Sequence, residues 1–268
     1  MLRMIAYNMR LNMKQLIFWS SIVLGVVITC LMTLTDIRLG FKYQTENPVL
    51  YFIFVGITTQ VSTSLLMLIH SFSTIQTYVK DYHSNHLLFL QHRLGNWRYF
   101  IQLYMSNCLT SFIVGVGMCV VFILLLALKF PLIPADPQPL IKTIAGGHWL
   151  LNNLPFWTYS YFTLIVGLNF AFYQLLATFF TLLFPHQTMC YLYSMLIWIM
   201  IDSLMIGERL PFYVMPRIVF GLDNTFHETS QQLGIALPMW YPFVYFFVIL
   251  MIIVILSVQW MAFKRRWH

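Results

Sequence analysis

From Phe100 to Leu128 the chain runs 29 residues without a Lys, Arg, Asp or Glu. A bilayer core of about 30 Å is crossed by roughly 20 apolar residues of helix, and there only a helix or a closed barrel satisfies its own backbone hydrogen bonds. Runs of the same kind cover about Leu16 to Thr35, Val49 to Phe72, Phe156 to Phe184, Cys190 to Ile206 and Trp240 to Phe263. Together they predict an all-α, polytopic membrane protein with six transmembrane helices. Composition agrees, with 60% of 268 residues hydrophobic and 9% charged. No stretch between the runs exceeds roughly 35 residues, below the size of a domain with its own core. Residues 1–268 therefore read as a single membrane domain.

Basic residues near the helix ends set the orientation, because the cytoplasmic side collects them. With the N-terminus inside, Arg3, Arg10, Lys14, Lys80, Arg93, Arg98, Lys264, Arg265 and Arg266 face the cytoplasm. Arg38, Lys42, Lys129, Lys142, Arg209 and Arg217 fall outside, in loops that also hold most of the acids. Both termini are then cytoplasmic, and the expected location is the cell membrane, in a bacterium. The net charge of +7 is spread over separate cytoplasmic pieces, which suits an anionic leaflet and not a nucleic acid.

Ahead of the first run, residues 1–14 place Arg3, Arg10 and Lys14 on one side of a helix and Leu2, Ile5, Met9 and Met13 on another. That pattern predicts a helix lying flat at the membrane surface; a frayed tail is the alternative. The following run is too long for a signal peptide and no A-x-A site closes it. Cys30, Cys108, Cys119 and Cys190 all fall inside or at the edge of runs and read as small buried hydrophobes.

Between the second and third runs lies YVKDYHSNHLLFLQHRLGNWRYF, Tyr78 to Phe100. His83 and His86 could share a helix face, but His92 lies about 240° further around, so one straight helix cannot gather a metal set from them. The periodic signal is apolar instead: Leu87, Leu90, Leu94 and Trp97 form one stripe of an amphipathic helix over about 78–94. Gly95 offers a helix stop and Asn96 an N-cap for the next span. The segment is thus a helix, a corner and a new helix.

These features resemble the type-2 permease subunits of ATP-binding-cassette transporters, which have six spans, cytoplasmic ends and a coupling helix between the second and third spans. The matching residues are Asp81, at the family's acidic position, Leu87 to Leu90, and RLGNWRYFIQLY from Arg93 to Tyr104. Where the family carries glycine after the acid, this chain has Ser84 and Asn85. The resemblance implies that Asp81, His83, Asn85, His86, Leu87, Leu90 and Arg93 contact a cytoplasmic ATPase. It also likens residues 1–14 to the family's elbow helix.

The last outer loop, about 207–238, contains Leu210 to Leu222, too short and too broken by proline to span. The resemblance implies short re-entrant helices there; an outer loop dipping into the headgroups is the plainer alternative. No glycine in the chain is followed by lysine, so no phosphate loop is present. By the resemblance, ATP and Mg are bound by a separate ATPase subunit, no cofactor belongs to this chain, and a second copy or a homologous permease completes the pathway.

Within the spans the strong polar groups are Asn107, Asn169, Gln174 and Asp202. Intramembrane ionisable or polar groups mark transport paths or serve helix packing. Asp202 could instead reach headgroup water or pair with Arg209 or Arg217. Ser111 and Gly115 form a small-xxx-small face that suits packing. No H-E-x-x-H or G-x-S-x-G occurs, and Asp202 has no obvious catalytic partner. The expectation is a non-enzymatic permease for a hydrophobic or amphipathic substrate, moved outward. An ATP-independent facilitator or substrate-binding component and, behind these, an intramembrane enzyme stay open as alternatives.

Overall fold

The computed structural model describes residues 2–43, 49–58, 60–72, 76–83, 93–133, 144, 149–150, 154–186, 188–205, 211–222 and 238–266. Its regular elements are all helical: α1 (Leu2–Lys14), α2 (Leu16–Met32), α3 (Leu34–Tyr43), α4 (Val49–Thr58), α5 (Gln60–Ser71), α6 (Gln76–His83), α7 (Asn96–Ala127), α8 (Pro155–Leu183), α9 (Tyr193–Met205), α10 (Pro216–Val219) and α11 (Tyr241–Arg266).

Among the described residues, α7, α8 and α11 are each long and apolar enough to cross a membrane unaided. Two bent pairs raise the number of candidate spans to as many as five: α1 with α2, at 66°, and Val49–Thr58 with Thr63–Ser71, at 80°. Of the six spans expected from hydropathy, the described residues thus carry three to five candidates. The second run bends in its middle, where the Thr63 hydroxyl donates to the Ile57 carbonyl at 2.7 Å. In the fifth run the described residues hold a 3₁₀ turn at Met189–Tyr191 and the 13 residues of α9.

The centre of the bundle is α7, which packs against α1, α2, α4, α5, α8 and α11. Its 32 residues make about 48 Å of unbroken helix, well beyond the bilayer core. Against α8 it runs antiparallel, since Asn107 meets Thr178 while Gly115 meets Gly167. The two backbones come close there: a Cβ on Gly167 would stand 2.8 Å from atoms of Phe112 and Val116. Ser111, on the same face, donates to the Phe170 carbonyl at 3.2 Å. Against α2 the direction is parallel, with Phe18 beside Val114 and Ile22 beside Gly117. Cys108, Cys119 and Cys190 are buried thiols and Cys30 is half-buried.

The N-terminal helix keeps its expected sides. Ile5 is buried, Met9 and Met13 are half-buried, and Arg10 and Lys14 are exposed. Asn12 adds a polar anchor to the inner side, its Nδ2 donating to Thr110 Oγ1 of α7 at 3.3 Å.

Candidate functional site

Two places carry the polar chemistry that the apolar runs lack. One is the corner ahead of α7. Here α6 ends at His83, Arg93 and Leu94 are helical again, and Gly95 turns the chain with φ 76° and ψ 150°. That region is open almost only to glycine, because a Cβ would crowd the backbone. Gly95 is itself the N-cap, and its carbonyl accepts the first helical bond, from Tyr99 N at 3.1 Å. This corrects the expectation that Asn96 caps: Asn96 is already the first helical residue, and its Oδ1 meets no donor among the described residues.

On α6, Tyr78 and Val79 are buried in the core and His83 is exposed; at the corner, Leu94 is half-buried and Arg93, Trp97 and Arg98 are exposed. Of the residues expected to meet an ATPase, His83 and Arg93 are thus surface groups. Asp81 lies on α6, its side chain outside the described residues. Asn85, His86, Leu87 and Leu90 fall outside them altogether, and with them half of the expected leucine stripe.

The second place is a seam buried between α7 and α8. Asn107, Gln174 and Thr178 are 1%, 0% and 2% exposed, so each must find partners inside the protein. Thr178 Oγ1 accepts from Asn107 Nδ2 at 3.3 Å and from Gln174 Nε2 at 3.4 Å, and donates to the Gln174 carbonyl at 2.8 Å. The amide oxygens Asn107 Oδ1 and Gln174 Oε1 are buried and meet no donor among the described residues. The seam therefore has spare acceptors and could receive a water or a ligand N–H or O–H.

Sequence reasoning named Asn107 and Gln174, and the fold brings them together; it missed Thr178, the hydroxyl that joins them. Asn169 sits five residues before Gln174, about 140° around α8, and its Oδ1 is buried with no donor among the described residues. It does not join the seam. Asp202 lies on α9, its side chain outside the described residues.

Further hydroxyls tie the neighbouring helices. The hydroxyls of Ser71 of α5 and Ser194 of α9 lie within hydrogen-bond distance of each other and of the Met67 carbonyl, and their two hydrogens are shared among those three contacts. Tyr104 of α7 pairs with Ser257 of α11 at 2.6 Å. His70 is fully buried, its Nδ1 at 3.1 Å from the Leu66 carbonyl and its ring stacked 5.0 Å from that of Phe170.

In the loop before α11 the described residues, 211–222, hold a 3₁₀ turn at Phe212–Val214 and the short α10. Val219 and Phe220 are buried, Phe220 with its ring 5.1 Å from Phe172 and 5.6 Å from Tyr245. The hydroxyls of Tyr241 and Tyr245 hold the turn by donating to the Tyr213 and Val214 carbonyls at 2.8 and 2.9 Å. Comparison of the chain with protein-family models, curated proteins and solved structures returns no match.

Proposed function

We propose that this chain is the membrane permease subunit of an ATP-driven exporter, moving a hydrophobic or amphipathic substrate with energy from a separate ATPase. The carrying observation is α7: one unbroken helix of 32 residues that starts at the Gly95 corner and touches six other helices. A push on the segment ahead of Gly95 reaches α1, α2, α4, α5, α8 and α11 through a single rigid element. Exposed Arg93 flanks the corner, and His83 is exposed on α6, both in the segment where the resemblance puts the ATPase contact. ATP would act on this chain only through two arrangements of the bundle that differ in their contacts with the ATPase. The buried seam of Asn107, Thr178 and Gln174 favours a second reading, a facilitator that works without ATP.

One experiment separates the two. The full chain is purified from its native membrane and assayed for an associated ATPase and for ATP-dependent transport in vesicles, alongside Arg93→Glu and Leu87→Asp. Co-purification with an ATPase whose coupled activity falls in both variants, at unchanged thermal stability, supports the exporter. Transport by the chain alone, indifferent to nucleotide and to both variants, overturns it in favour of the facilitator.

A further inference from the structure

Along the outer faces of α2 and α7 runs an open groove of about 670 Å³, lined only by apolar atoms. Trp19, Ile22 and Val26 form one wall, Phe112 and Leu125 mark the ends of the other, and Gly117 leaves its floor low. From Phe112 to Leu125 is about 20 Å of helix, more than the depth of one leaflet in a core of about 30 Å. At the Trp19 end the chain turns by 66° into α1, where Arg10 and Lys14 are exposed. Only five residues of chain separate Trp19 from Lys14, across that bend. The apolar slot thus has one end at a half-exposed indole, 57% accessible, close in the chain to the helix that carries two exposed cations.

We infer that this groove binds one anionic phospholipid, its acyl chain between α2 and α7 and its phosphate on Arg10 and Lys14. A tail alone would use the slot and ignore the cations. A water-soluble anion would use the cations and ignore the slot. A second copy of the chain fits less well, because a two-fold axis along the membrane normal would set both copies' Arg10 and Lys14 at the same depth, like charge against like. Basic residues beside an anionic leaflet, by contrast, each gain attraction at the surface. The site stands whether or not the chain transports.

The test uses the full chain in vesicles of phosphatidylcholine and phosphatidylglycerol, with brominated acyl chains on one lipid or the other as quenchers of tryptophan fluorescence. Subtracting the signal of Trp19→Phe isolates Trp19. Half-quenching is expected at a lower mole fraction of brominated phosphatidylglycerol than of brominated phosphatidylcholine, by about fivefold for each basic residue engaged. Arg10→Glu combined with Lys14→Glu should remove that preference and leave the quenching by phosphatidylcholine. Gly117→Leu, or Val27→Phe at an exposed lining position, should weaken quenching by both lipids. Equal quenching by the two lipids in the unaltered chain would overturn the proposal. So would its loss together with cross-linking of Val23→Cys between copies, which would assign the groove to a second chain.

Discussion

Gly115 of α7 and Gly167 of α8 face each other where the two central helices cross, so closely that a Cβ on Gly115 would lie 3.2 Å from the Gly167 Cα. The Phe170 ring stands closer still, at 3.0 Å, so an added Cβ would meet both backbone and side chain. The crossing holds together the helix that bears the corner and the helix that bears most of the buried seam. Its tightness has a direct consequence for substitution. Gly167→Leu forces Phe112 and Val116 aside and should destabilise the bundle by about 1–3 kcal/mol, the usual cost of overpacking. Thermal unfolding of the purified protein in detergent reads this as a lower midpoint, and an unchanged midpoint would mean that α7 and α8 are not in this contact.

The seam predicts a graded response at Thr178. Thr178→Val keeps the shape and removes the oxygen that two amide N–H groups share, so it should cost about 1–2 kcal/mol, at the modest end because bonds of 3.3 and 3.4 Å are long. Thr178→Ser keeps the hydroxyl and should cost less. A double-mutant cycle with Asn107→Ala should return a coupling of about 0.5–1.5 kcal/mol. Additivity of the two changes would show that the amide and the hydroxyl do not meet.

How far residues announce such features depends on the kind of information they carry. The apolar runs of α7, α8 and α11 were legible because length and hydropathy alone decide whether a helix can span. The break in the second run was not, since a bend leaves hydropathy unchanged and is settled by which backbone carbonyls find partners, as Ile57 does with Thr63. The 3₁₀ turn ahead of α9 was hidden in the same way, being as apolar as a helix. Asn107 and Gln174 stood out as amides in oil, whereas Thr178 looked like one more small residue until its neighbours were known. The Gly95 corner was visible because glycine before a new helix has a specific conformational meaning; the capping role given to Asn96 failed because that residue had already joined the helix.

At that corner the prediction separates backbone from contact. Gly95 has nothing within 4 Å of where a Cβ would stand, so the cost of any larger residue comes only from φ 76°. Gly95→Ala and Gly95→Ser should therefore cost about the same, about 1–3 kcal/mol each, or turn the preceding segment away from its place. If the corner passes force to α7, both variants should also lower ATP-driven transport together, beyond what their thermal midpoints explain. Equal transport with a shifted midpoint would leave the corner a purely structural turn.

The turn before α11 tests whether the outer loop is part of the core or lies upon it. Phe220 is 1% exposed and its ring meets Phe172 and Tyr245, so Phe220→Ala should leave a cavity and cost about 3–5 kcal/mol. Val214 lies in the same turn but is 39% exposed, and Val214→Ala should stay within about 0.5 kcal/mol. A loop resting in headgroups would show two small and similar effects instead. Limited proteolysis sharpens the distinction, because Tyr241 and Tyr245 clamp the turn through its carbonyls. Tyr245→Phe keeps the ring on Phe220 and removes only the clamp, so faster cleavage near residue 214 in this variant, with a nearly unchanged unfolding midpoint, would show that the hydroxyl holds the turn while the aromatic cluster holds the fold.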